Sequence, residues 1–139
     1  MNVTYSFNWN LKGANESQAR SMLEEIRLHA IQMGAESGPV TEVTGDGANM
    51  APPGYLFKAK LPNAAEGAFG LALKDGSWTW GECIRVSSFK EISDFMEFAA
   101  SKGIEVVTGF AGMTMIYRFE NGELRTEQHY ALGFDLDDF

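Results

Sequence analysis

Helical periodicity occurs twice in this chain, and both times strand-like sequence surrounds it. Ala19, Met22, Leu23, Ile26, Ala30 and Met33 recur at the spacing of one helix face, and so do Phe89, Ile92, Phe95, Met96 and Ala99. Most other apolar runs alternate with polar residues or are closed off by Gly and Pro. A helix with a single apolar stripe covers one side of something. Two such helices among many short strands therefore imply helices laid on a sheet.

The ends of both helices are written locally. The first is expected over 16–33, with Asn15 as N-cap, Gln18 as its reciprocal capping-box partner and Gly34 as a left-handed stop. The second is expected over 89–102, capped by Ser88 with Glu91, and ending in Lys102-Gly103-Ile104 as a Schellman motif. Strands are expected at 3–11, 40–43, 55–61, 68–74, 78–86, from 104 onward, at 113–120 and at 123–131. In the first of these, Val3, Tyr5, Phe7, Trp9 and Leu11 alternate with Thr4, Ser6, Asn8 and Asn10, giving one buried and one wet face. The Gly- and Pro-rich segment 45–54 reads as a loop.

Asp75-Gly76 reads as a tight turn, and Asn121-Gly122 is the type I′ hairpin dipeptide. The second turn fixes a register. Phe119 opposes Leu124, Tyr117 opposes Thr126, Met115 opposes Gln128 and Met113 opposes Tyr130. On the other face Glu120 opposes Glu123 and Arg118 opposes Arg125. Diagonal pairs relieve the like charges: Arg118 with Glu123 and Glu127, and Arg125 with Glu120.

The expected fold is a single α+β domain over 1–139: a mainly antiparallel sheet of about 7–8 strands with two amphipathic helices on one face. The strand-helix unit is stated twice, which marks 1–74 and 75–132 as candidate pseudo-repeat halves, each βαββ-like, followed by an acidic tail at 133–139.

The net charge of −8, from 11 basic and 19 acidic residues, argues against non-specific nucleic-acid binding and against an anionic membrane surface. No apolar run approaches the length of a membrane span. The N-terminus lacks a basic stretch followed by an apolar one, so no ordinary secretory signal is expected and a reducing cytoplasm is the expected compartment. Cys83 is the only cysteine; it is expected to be buried and inert, and it excludes an intramolecular disulfide. His29 and His129 share no ligand spacing, so neither a metal nor another cofactor is expected.

No catalytic motif emerges, but several residues break their local pattern. Glu82 falls on the same strand face as Trp78, Trp80 and Ile84, where desolvation would raise its pKa and suit it to general acid or base work. A bulge at Gly81, or a basic partner, would make it structural instead. Gln128 and Thr126 are polar on an apolar face and are candidates to line a pocket under the helices. Trp9, Trp78, Trp80, Tyr55, Phe57 and Phe69 could form either a core or an aromatic-lined cavity. The leading expectation is a non-enzymatic module that binds a small apolar or aromatic ligand, or a protein partner, as a homodimer. Trp78, Trp80, Gln128 and Tyr55 are its candidate ligand-binding residues. One alternative is an enzyme using Glu82 in a Trp-lined pocket; the other is an acidic inhibitor or DNA mimic.

Overall fold

The computed structural model describes residues 3–43 and 53–130. Most of the expected 45–54 loop and the whole of the 133–139 tail lie outside them. Strand β1 (Val3–Lys12) leads into helix α1 (Glu16–Gln32). Two short strands follow, β2 (Glu36–Ser37) and β3 (Thr41–Glu42), and then the meander β4 (Gly54–Lys60), β5 (Glu66–Lys74) and β6 (Ser77–Val86). Helix α2 (Phe89–Ser101) connects to β7 (Glu105–Phe110), β8 (Met113–Glu120) and β9 (Glu123–Tyr130).

All of these strands form one antiparallel sheet ordered β2-β4-β5-β6-β1-β7-β8-β9, with β3 also pairing β4. The fold is α+β, as its sequence pattern requires. β6 and β7 flank β1 and both run against it, so α2 is a crossover between parallel strands that passes over β1. Alternation outward from β1 makes β2 and β3 parallel to it, so α1 is also a parallel crossover, passing over three strands. β1 and β6 run in opposite directions, and their crossovers travel in opposite directions across the sheet. Connections of one hand then place both helices on the same face. There α1 packs on β4 and β5, α2 packs on β7, β8 and β9, and the helices touch each other.

The core lies between that face and the helices. Tyr5, Phe7, Trp9 and Leu11 of β1 are buried against Leu23 and Ile26 of α1 and Ile92, Phe95 and Met96 of α2. Phe7 stacks on Phe69 at 5.4 Å between ring centroids, and Phe95 meets Phe69 edge-on at 5.0 Å. Trp9 Nε1–H donates to Met96 Sδ at 3.3 Å, so the buried indole keeps a partner.

The helix ends follow their sequence signals unevenly. Asn15 and Gln18 form both bonds of the capping box, each at 2.8 Å. Gly34 (φ 102°) and Ala35 donate to Ile31 and Ala30, the two bonds of a Schellman motif. At α2, Gly103 (φ 105°) donates to Ala100 and Ile104 is buried, but the Ser88 hydroxyl makes no capping bond. Glu91 instead lies against its own backbone N–H, with the Asn63 and Ser88 side chains beside it, and these hold its carboxyl below the usual range. The expected strand at 40–43 shrinks to Thr41–Glu42, and Glu36–Ser37 adds a piece on the same edge. Gly38-Pro39 separates them, since proline has no N–H to donate.

Candidate functional site

The helices cover one face of the sheet. Among the described residues, no element covers the other. Its centre is made of short side chains: Thr4, Ser6, Asn8 and Asn10 on β1, Ser77, Thr79, Gly81 and Cys83 on β6, and Val107 and Gly109 on β7. The glycines keep it flat. A Cβ on Gly81 would stand 2.6 Å from Asn8 Oδ1, and one on Gly109 would stand 2.7 Å from Ser6 Oγ. These polar side chains therefore lie down over neighbouring backbone rather than standing off the sheet.

Charge is segregated around this platform. Lys58 and Lys60 on β4, Lys74 on β5, Arg85 on β6 and Lys12 on β1 are all exposed, and all alternate with buried or, at Leu73, half-buried neighbours that face the helices. Among the described residues, ion pairs engage Arg27, Lys90, Lys102, Arg118 and Arg125, whereas Arg20 lies over the Tyr55 ring. None of those pairs involves Lys12, Lys58, Lys60, Lys74 or Arg85. Two carboxylates share this region of the face: Glu36 and Glu66 flank Lys60 in register. The other carboxylates lie mainly on α1, α2 and β7–β9. A chain that is acidic overall thus presents its free cations on one half of one sheet face.

Comparison with protein-family models, curated proteins and solved structures finds no match to this chain. Its chemistry has to be read from the site itself.

The basic half of the face ends in a cleft of about 390 Å³ lined by Lys60, Asn63, Ala64, Ala65, Arg85 and Ser87. It forms where the connection between β4 and β5 meets the end of β6: Ala64 bridges Val86, and the Ala65 backbone N–H donates to the Arg85 carbonyl at 2.8 Å. Asn63 (φ 61°) turns the chain there, and its carbonyl accepts from the Ser87 backbone N–H at 2.8 Å and from the Ser87 hydroxyl at 3.3 Å. The cleft wall is thereby braced, while Lys60 and Arg85 make no ion pair within it. Two cations beside a polar concavity can receive a carboxylate or another oxyanion.

The residues singled out from sequence do not converge. β6 pairs with β1 without a bulge, so Glu82 opposes Phe7, half-buried on the helix side, and the cleft does not include it. Trp78 is buried and donates through Nε1 to the Ala14 carbonyl at 2.9 Å. Trp80 is half-buried and donates from β6 to the Ala68 carbonyl of β5 at 3.0 Å. Tyr55 is buried two strands from β6 and hydrogen-bonds through its hydroxyl to Glu16. Gln128 and Thr126 are exposed on β9, four strands from β6 on the other side; Gln128 bonds to the Tyr130 hydroxyl at 2.8 Å.

Cys83 departs from expectation. It is exposed, because strand parity sets it opposite Ser6 on the uncovered face. His29 stacks on Phe98 at 3.7 Å, and burial lowers its pKa. The five free cations escaped sequence reading. Only the strand order brings Lys58, Lys60, Arg85, Lys74 and Lys12 to the same face.

Proposed function

We propose that this chain is a non-enzymatic binding module whose open sheet face takes an acidic segment of a protein partner. The supporting observation is the segregation of Lys12, Lys58, Lys60, Lys74 and Arg85, without ion-pair partners among the described residues, around a flat polar platform in a chain of net charge −8. Exposed cations keep their charge in water at little cost. They bind through complementary charge and through hydrogen bonds from lysine and arginine to carboxylates. The amides of Asn8 and Asn10 and the hydroxyls of Thr4 and Thr79 add neutral donors between the cationic rims. A long polyphosphate backbone would meet the acidic remainder of the molecule as well, which favours a short acidic peptide segment over a nucleic acid.

The test is calorimetric titration of the full chain with a synthetic peptide of alternating Asp, Glu and Gly. The control peptide has every acid replaced by its amide. Binding that weakens with added salt, is absent for the amide peptide and is lost in K58E/R85E at unchanged thermal stability is the expected result. Equal binding of the amide peptide, no binding by the wild type, or preference for a single-stranded oligonucleotide of matched charge would overturn it.

A further inference from the structure

The two edges of the sheet are finished differently. On one, β2 and β3 contribute two residues each, split by Gly38-Pro39. Short and interrupted edges of this kind offer little to pair with. The other edge is β9, eight regular residues without proline, lysine or a bulge, and every one of them is exposed. Among the described residues nothing pairs with the free side of β9, and a long edge of unpaired N–H and C=O groups is a template for another strand.

Its register with β8 tells which groups are free. The Glu120–Glu123 pair closes a two-residue loop and is the hydrogen-bonded pair of the ladder. Glu123, Arg125, Glu127 and His129 therefore direct their backbone polar groups at β8. Leu124, Thr126, Gln128 and Tyr130 direct theirs outward.

We infer that two copies of this chain join through β9, antiparallel, with Thr126 opposite Thr126 of the second copy. The side chains favour this register over those one residue to either side. With the two-fold axis at Thr126, Arg125 faces Glu127 of the other copy and Glu123 faces His129, so every charge meets one of opposite sign or an imidazole. Moving the axis to Arg125 sets Arg125 against itself and Glu123 against Glu127. Moving it to Glu127 sets Glu127 against itself and Arg125 against His129. Directly opposed like charges are unfavourable in a sheet. The Thr126-centred register exchanges about six backbone hydrogen bonds across the axis, in the usual antiparallel pattern.

The helix-side face of the hairpin adds apolar surface, with Phe119 43%, Leu124 37% and Tyr130 69% exposed. Across the axis Leu124 lies beside Gln128 of the second copy. The join makes a continuous sheet with both helical layers on one side. Both basic faces then lie on the other side, whatever partner each of them takes.

Light scattering on the full chain tests this, with circular dichroism as the check on fold. The wild type is expected to run at twice the chain mass at about 100 μM, within reach of a modest edge interface. T126P removes the central outward N–H and leaves the β8 ladder intact, so a folded protein of half that mass is expected. R125E and E127R each create two like-charge contacts and are each expected to be monomers. Mixed together, their charges are complementary again, and the doubled mass should return. A monomeric wild type, a T126P protein that stays dimeric, or a mixture that stays monomeric would each overturn the inference.

Discussion

Two glycines on the same sheet illustrate how a single residue can matter greatly or hardly at all. A Cβ on Gly70 would stand 2.5 Å from the Tyr55 backbone oxygen and 2.9 Å from the Trp80 ring. Backbone cannot step aside, so Gly70→Ala should destabilise the protein by about 1–3 kcal/mol, read as a lower urea midpoint. A Cβ on Gly81 comes too close only to the Asn8 side-chain oxygen, the end of a short chain on an open face, and stands 3.8 Å from the Phe7 backbone oxygen. Gly81→Ala should cost far less, and near-equal costs for the two would show that the close approach at Gly70 is not tight. The buried phenols give a pH signature. Burial pushes the Tyr5 hydroxyl well above its usual pKa and raises that of Tyr117. Above about pH 10 the unfolded chain releases these protons while the folded chain retains them. The unfolded state then binds fewer protons, so stability falls as pH rises. Stability, read from urea unfolding, should hold to about pH 9 and then drop by up to about 1.4 kcal/mol per pH unit for each buried phenol. Tyr5→Phe should flatten that alkaline limb, and an unchanged slope would show that Tyr5 is not its source.

At the scale of elements, signals confined to a few residues were legible and signals that depend on pairing were not. The Asn15–Gln18 box forms because both partners lie within one turn, and the Asn121-Gly122 turn fixes its register because the loop has only two residues. Ser88 has the residue type and position of a cap, but its hydroxyl makes no capping bond. Two variants therefore separate expectation from structure. Asn15→Ala should cost about 1 kcal/mol, while Ser88→Ala should lie within a few tenths of wild type, both measured by thermal or urea unfolding. A large loss at Ser88 would mean that its hydroxyl caps the helix after all. The same division applies to the site. Alternation sets Glu82 on the same strand face as Trp78 and Trp80, and β6 keeps it on the helix side. The gathering of Lys12, Lys58, Lys60, Lys74 and Arg85 on one face, and the cleft where the connection between β4 and β5 meets the end of β6, follow from strand order, which no local pattern encodes. Cys83 departs from its expected burial for a related reason. Its strand is apolar on average, but parity gives it the uncovered side.

For the whole molecule, the question raised by the doubled strand-helix unit is whether either copy is self-sufficient. Both units are parallel crossovers, but they span the sheet differently: α2 passes over β1 alone, and α1 passes over β6, β5 and β4. The central pair, β1 with β6, takes one strand from each unit, and the densest aromatic cluster joins Phe7, Trp9 and Phe69 to Phe95. Cutting the chain after residue 74 leaves β1 without either of its neighbours, since both β6 and β7 lie in the second piece. The first piece would also lose the α2 side of its core, and neither piece retains enough buried surface to offset its chain entropy. Fragments 1–74 and 75–139 should therefore each be disordered alone by circular dichroism and amide dispersion. Mixed, they should recover a cooperative unfolding transition, because no covalent link at the Asp75-Gly76 turn is needed to hold β5 against β6 once β1 has paired. A stable fold in either fragment alone would show that the halves are separate domains and that the β1–β6 pair is an interface between them.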